Sequence, residues 1–274
     1  MPTGICPLCE LNKTLIQSHL ASAALYKLCR APDSDPMQVT NEVVMRTGRQ
    51  LQDYLLCSGC DGMLSTEGES WLLPLVGRMD GFPLYDLLTK QKPDAVDGDG
   101  AIYAAARNPD IDVPKIIHFA MGMFWKASVH SWSRKRVKPL IDLGKYGEDV
   151  QKFLRGEAKF PEHMALTVGV SPPPIMPTFT MPYRGSATEY HNFLFHVPGI
   201  NFALAVGSQV GEDMRSACFA SHPLHPILLE DLADENLKVS RSVAAGARKA
   251  QSVLAYVKES KHLHEYLRKR EKKS

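Results

Sequence analysis

Long hydrophobic runs are missing from this sequence. The most apolar stretch, Ile116 to Val129, is interrupted by His118 and Lys126 and is too short to cross a bilayer, which excludes a helical membrane span and a membrane partner. Met1 to Leu11 lacks the basic start and long apolar core of a secretory signal, so none is expected. Low-complexity tracts and a repeat near 20 residues are also absent, which argues against a linker-rich chain or a solenoid. Charge of one sign hardly accumulates: the net is +2 over 274 residues, and this alone points neither toward nor away from nucleic acid. Cysteine is sparse, at six residues. Four of these fall into C-x-x-C pairs, a usage that suits a reducing compartment better than a disulfide framework, so the expected location is the cytoplasm.

The cysteine pairs are the strongest signal present. Cys6-Pro-Leu-Cys9 and Cys57-Ser-Gly-Cys60 share one spacing, and each has proline or glycine inside it. Such a knuckle turns two sulfurs toward one point, and two knuckles together supply the four thiolates that a tetrahedral zinc ion takes. Ordinary buried thiols or a disulfide are the competing reading. Thr14 to Gln17 is expected as a strand and Ser18 as the N-cap of a helix running from about His19 or Leu20 to Cys29, stopped by Ala31-Pro32. Val39 to Arg46 reads as a further strand, and Asp61 to about Leu75 as a helix starting just after the second knuckle. A hairpin-borne C-x-x-C, a long excursion and a C-x-x-C at a helix start give the outline of a treble clef. So short a segment has little core of its own, and metal is expected to hold it together.

The expected fold class is α+β: a zinc-bound treble clef over residues 1–76, then a larger mixed α+β domain over 77–274. The boundary is placed near Gly77, where proline and glycine begin to punctuate a connecting region. In the larger domain, Pro114 to about Val129 is apolar on nearly every face and predicts a buried central helix. Glu148 to Arg155 predicts a short helix and Ala165 to Val170 a strand. Tyr190 to Val197 and Ile200 to Ser208 predict an antiparallel hairpin turning at Pro198-Gly199. A long helix is expected from Asp234 or Asn236 to about Tyr256, grading into a basic tail. Lys261 to Ser274 holds six basic and two acidic residues.

A second basic region lies inside the chain. No acidic residue occurs between Asp112 and Asp142, while Lys115, Lys126, Arg134, Lys135, Arg136 and Lys138 are interleaved with Trp125, His130 and Trp132. Positive charges contact phosphates and an aromatic face stacks on a base, so Lys126, Trp132, Arg134, Lys135, Arg136 and Lys138 are candidate nucleic-acid contacts. A solvated loop leaving a buried helix has the same composition. The larger domain carries no phosphate-binding glycine loop, nucleophile elbow or paired metal motif.

The order Cys6-x2-Cys9, Ser18-His19, then Leu56-Cys57-x2-Cys60-Asp61 resembles the zinc-containing branch of the HNH endonuclease (ββα-metal) superfamily. The likeness covers about residues 5 to 70. More loosely, the whole chain resembles a group of bacterial proteins in which this module precedes a buried helix ending in a segment like Trp125-Lys126-Ala127-Ser128. The resemblance implies an HNH-like nuclease that hydrolyses phosphodiester bonds in DNA or RNA. His19 would be the general base, and a neutral imidazole suits that role near pH 7. Catalytic Mg2+ or Mn2+ would be held by the residues at positions 18 and 61. Asp61 is a good hard-cation ligand, whereas Ser18 offers a neutral hydroxyl where the family has a carboxylate or imidazole. Glu67 and Glu69 could supply a carboxylate in its place, and Asn41 is an unanchored match to the central Asn of the family pattern. The alternative is a non-catalytic zinc module that binds nucleic acid or a protein partner.

Overall fold

A computed structural model describes the chain except residues 31–36, 40–42, 47, 49, 79, 133–137, 176, 188, 233–235, 237, 239–241, 243–244, 246–248, 251–264, 266–267 and 270–274. In chain order the described elements begin with β1 (Thr3–Ile5), β2 (Asn12–His19), α1 (Ala23–Leu28), β3 (Met37–Val39), β4 (Val43–Arg46), β5 (Gln52–Cys57) and α2 (Ser58–Leu64). A π-helical turn, Ser65–Glu69, continues α2 into the single-turn α3 (Ser70–Leu72), followed by α4 (Pro83–Thr89), β6 (Ala95–Asp97) and β7 (Gly100–Ala104). The central helix α5 (Val113–Val129) and α6 (Gly147–Leu154) precede β8 (Met164–Val170), β9 (Tyr183–Arg184), β10 (His191–Val197) and β11 (Ile200–Val206). The last elements are α7 (Glu212–Ser216), β12 (Pro226–Leu229) and β13 (Lys249–Ala250).

The described residues form a mixed α+β architecture with three sheets. The N-terminal sheet has the order β1-β2-β5, the large sheet β6-β7-β12-β8-β11-β10-β9, and a small one β13-β4-β3. The large sheet is antiparallel apart from the β12–β8 pair. The expected hairpin is its β10–β11 pair, between β8 and the edge strand β9, in which Val197 pairs with Ile200 across Pro198-Gly199. Gly199 takes φ +80°, which glycine adopts without Cβ strain.

Helix α5 is buried on nearly every face, as its composition predicts. Asp112 caps it by accepting from the Lys115 N–H at 3.2 Å, and Pro114 sits in the first turn, where no N–H is needed. One side packs on the large sheet through aromatic rings. Phe124 meets Phe195 edge-on at 4.9 Å, Phe119 lies 5.8 Å from Phe202, and Phe195 stacks on Phe202 at 4.7 Å. Another side receives the π-helical turn: Gly68 sits so close that a Cβ there would fall 2.8 Å from the Phe119 backbone. The helix is therefore shared between the large sheet and the N-terminal segment. One contiguous apolar core runs from Cys6 to Ile227. The boundary expected near Gly77 falls inside that packing, since Val76 is fully buried and the Gly77 N–H donates to Pro198 O at 2.8 Å.

Two expectations near the N-terminus are corrected. Strand β2 extends through His19, and α1 starts only at Ala23 with Ser22 as its N-cap. Ser18 is thus a strand residue: its side chain is fully buried and accepts from the Leu56 N–H at 3.3 Å, joining β2 to β5. The single strand expected over Val39 to Arg46 is instead the hairpin of β3 and β4. Near the C-terminus, Lys249–Ala250 pair in parallel with Val43–Val44 where a helix was expected. Most of that expected helix and of the basic tail lies outside the described residues, as does Asn41. Among the described residues no helix is long and apolar enough to cross a membrane.

His196 is the most deeply buried histidine of the large sheet, with Nε2 3.2 Å from Thr178 Oγ1 and Nδ1 3.4 Å from Thr180 Oγ1. Burial disfavours its charged form and pushes its pKa down to about 4.

Replacing Gly68 with alanine is expected to lower the denaturant midpoint by the equivalent of about 1–3 kcal/mol, because the new methyl meets backbone that cannot rotate away. Gly62→Ala, with nothing within 4 Å of its Cβ, is expected to be neutral or slightly stabilising. Equal midpoints for the two variants would contradict the packing described.

The low pKa of His196 sets a pH dependence. An unfolded histidine binds its proton near pH 6.5, and the folded one does so only near 4. Between these values the unfolded state holds the extra proton, so stability falls as pH drops from about 6.5 and the loss is complete near 4. The loss is on the order of 3 kcal/mol. Melting curves of wild type and His196→Asn should converge as pH falls through this window; a constant difference would contradict it.

Candidate metal centre

The first knuckle is closed by its own backbone. The Glu10 N–H donates to Cys6 O at 2.7 Å and the Cys6 N–H to Leu11 O at 3.0 Å, with Glu10 turning the chain at φ 60°. The second knuckle straddles a strand end and a helix start: Cys57 closes β5 and is the N-cap of α2, and Cys60 lies in the first turn. Free N–H groups and the positive end of the helix dipole favour thiolates there. Pairing of β2 with β5, which places Leu15 opposite Cys57, carries the two knuckles to one place.

The four sulfurs lie within 4.8 Å of one another, and Cys9 Sγ is 3.9 Å from Cys57 Sγ. Four sulfurs at 2.3 Å from one tetrahedral ion stand about 3.8 Å apart, so the cluster fits a zinc-sized ion. A disulfide requires sulfurs about 2.05 Å apart, and all six cysteines are free thiols. Cys6 and Cys57 are buried, while Cys9 and Cys60 are half-buried. Burial alone would push the Cys6 thiol up, but N–H groups of Cys9, Cys57 and Leu8 directed at its sulfur bring it down to about 7. The Cys57 N–H lies 3.4 Å from it. Burial, then the neighbouring sulfurs, pushes the Cys60 thiol up. Among the described residues, the four cysteines are the one group of three or more metal-ligating side chains whose ligand atoms converge.

The other expected site residues do not gather in the same way. His19 ends β2, half-buried, and its carbonyl accepts from Lys126 Nζ at 3.2 Å. Asp61 lies in the first turn of α2. Among the described residues no hydrogen bond or ion pair joins His19 to Asp61.

Lys126 and Trp132 are corrected from nucleic-acid contacts to core residues. Lys126 is 4% exposed and its ammonium pairs with Glu69 Oε1 at 2.9 Å, because a lone charge in a buried helix needs an anionic partner. Trp132 is 6% exposed, and its indole N–H donates to Lys126 O at 2.8 Å, closing the end of α5. Lys138 is exposed, and Arg134, Lys135 and Arg136 lie outside the described residues.

Sequence reasoning missed several partners of these groups. The Lys126–Glu69 pair had one signal, a single lysine in an otherwise apolar helix. The His130–Asp53 contact of 3.1 Å, which ties the end of α5 to β5, had none. Nor did Gln151 and Arg155 of the α6 region, which reach the first knuckle.

Comparison with family models, curated proteins and solved structures finds no match to this chain.

If the four cysteines hold a structural metal, a chelator should raise amide exchange in β1, β2 and β5 before it does so in β8, β10 and β11. Hydrogen exchange followed by mass spectrometry reads this directly. Unchanged exchange in the N-terminal sheet after complete metal removal would contradict a structural role.

Proposed function

We propose that residues 1–76 form a treble-clef module held by one structural zinc ion, and that the chain binds nucleic acid in the cytoplasm without cleaving it. Zinc neutralises the four thiolates and cross-links the two knuckles, and no reaction step passes through it. Basic residues at 134–136, Lys138 and the C-terminal tail supply the phosphate contacts.

The observation that carries this reading is how the side chains beside the expected base are used. The Ser18 hydroxyl is fully buried and committed to the Leu56 N–H, and one oxygen of Glu69 is committed to the Lys126 ammonium. An HNH centre needs hard-cation ligands around its base. Here the hydroxyl at position 18 is directed into the β2–β5 pairing, and Glu69 of the π-helical turn already has a cation.

A second reading is an HNH-like nuclease acting on DNA or RNA, with His19 as general base and Asp61 holding Mg2+ or Mn2+. It is favoured by the half-buried position of His19 at a strand end and by the Lys126 bond that fixes its main chain, the kind of support a positioned base requires.

One experiment separates the two: purified protein and His19→Ala are compared on plasmid and on single-stranded DNA and RNA with Mg2+ or Mn2+, and binding is titrated against salt. The binding-module reading predicts no cleavage by either protein. It also predicts salt-sensitive binding whose log–log slope flattens by about 3 when Arg134, Lys135 and Arg136 are neutralised. Cleavage lost in His19→Ala at equal zinc content would overturn it in favour of the nuclease.

A further inference from the structure

The first knuckle is gripped from the middle of the chain. Gln151, on the buried face of α6, donates through Nε2 to Pro7 O at 2.8 Å and to Leu8 O at 3.1 Å, across a sequence separation of 144 and 143 residues. Arg155, in the turn that follows, donates through Nη1 to the same Leu8 carbonyl at 3.3 Å and to Glu10 Oε2 at 3.2 Å. Its Nη2 bonds Glu157 Oε2 at 2.6 Å, which fixes the guanidinium from the other side. Gln151 is 8% exposed and Leu8 is fully buried, so these bonds form away from solvent, where a lost partner is expensive.

The carbonyls it holds are not arbitrary. Pro7 C=O and Leu8 N–H are the two ends of one peptide group, and Leu8 C=O and Cys9 N–H are the two ends of the next. Both peptide groups lie inside the knuckle, between the ligand candidates Cys6 and Cys9, and the second carries the Cys9 nitrogen itself. Each Gln151 bond therefore holds, by its carbonyl end, one of the two peptide groups that span the knuckle from Cys6 to Cys9. Hydrogen bonds in such a series orient and polarise one another. Residues behind the ligands commonly set the affinity of a metal site in this way.

We propose that Gln151, backed by Arg155, is a positioning residue of the metal centre. It fixes the two peptide groups that span the first knuckle, so that the Cys6 and Cys9 sulfurs are held toward one point, and through them sets how tightly the four cysteines hold zinc. The inference rests on the reading of the cysteines as a zinc site. It also makes α6 part of the centre, so metal loading and the packing of this helix support one another.

The test uses the full chain. Zinc affinity is measured by competition with a chromophoric chelator, and Co2+ is substituted to record the thiolate charge-transfer band. The variants are Gln151→Leu, which removes the donors at similar volume, Gln151→Glu, which sets a carboxylate against two carbonyl oxygens, and Lys152→Ala. Lys152 is on the same helix but pairs with Glu148 and does not touch the knuckle. Gln151→Leu is expected to weaken zinc about 10–100-fold and to shift the Co2+ band, Gln151→Glu to weaken it at least as much, and Lys152→Ala to match wild type. Wild-type affinity and an unshifted band in Gln151→Leu, with zinc present in the wild-type protein, would overturn the role of Gln151 alone. If Gln151→Leu fails to fold, Arg155→Ala at the outer end of the same grip carries the test, and unchanged zinc affinity there would overturn the proposal. A wild-type chain that takes up neither zinc nor Co2+ would remove the zinc reading and this inference together.

Discussion

Four sulfurs brought within 4.8 Å of one another are the constraint on which the N-terminal quarter depends. Thiolates at that separation repel, and the Cys57 N–H, 3.4 Å from Cys6 Sγ, relieves only part of that charge. A single cation would satisfy all four and cross-link residues 48 apart in sequence, Cys9 and Cys57. The β1-β2-β5 sheet is three short strands, and exposed apolar residues such as Ile5 and Leu11 show how little of it is covered. A cross-link at the point where β5 passes into α2 restrains both the sheet and the helical stretch that lies on α5. Metal binding of this kind contributes folding free energy directly.

The body of the protein is assembled around α5. Aromatic rings fix it to the large sheet, and the missing side chain of Gly68 lets the π-helical turn approach its backbone. Apolar contact is tolerant of small rotations. The polar bonds at the same junctions are less so: Lys126 to Glu69 and to His19 O, Trp132 to Lys126 O, His130 to Asp53, and Gln151 to the first knuckle. Each joins segments distant in sequence. A buried donor left without its partner costs about 1–3 kcal/mol, so together these bonds narrow the packing to one arrangement.

The features readable in the sequence were those with a local cause. Two C-x-x-C pairs with one spacing foretell convergent sulfurs because the knuckle geometry is made within four residues. The Ile116 to Val129 stretch foretells a buried helix from its even apolar cover, and Pro198-Gly199 foretells a hairpin because glycine there can take positive φ. What could not be read depended on tertiary pairing. Ser18 has the chemistry of an N-cap, yet its hydroxyl serves the β2–β5 junction, so the strand runs past Gln17 through His19. Lys126 and Trp132 look like a nucleic-acid surface by composition, and their burial follows from partners that no local pattern reveals. Gln151 is one polar residue on an amphipathic helix, and nothing nearby in sequence points to a knuckle 144 residues away.

The central claim is that the four cysteines act as one metal-binding unit, and native mass spectrometry of the full chain tests it most directly. The account predicts one zinc per chain, bound in place of thiol protons, and lost on Cys57→Ser together with the order of the N-terminal sheet. A metal-free chain that keeps that sheet ordered, or a zinc ion retained unchanged in Cys57→Ser, would contradict it.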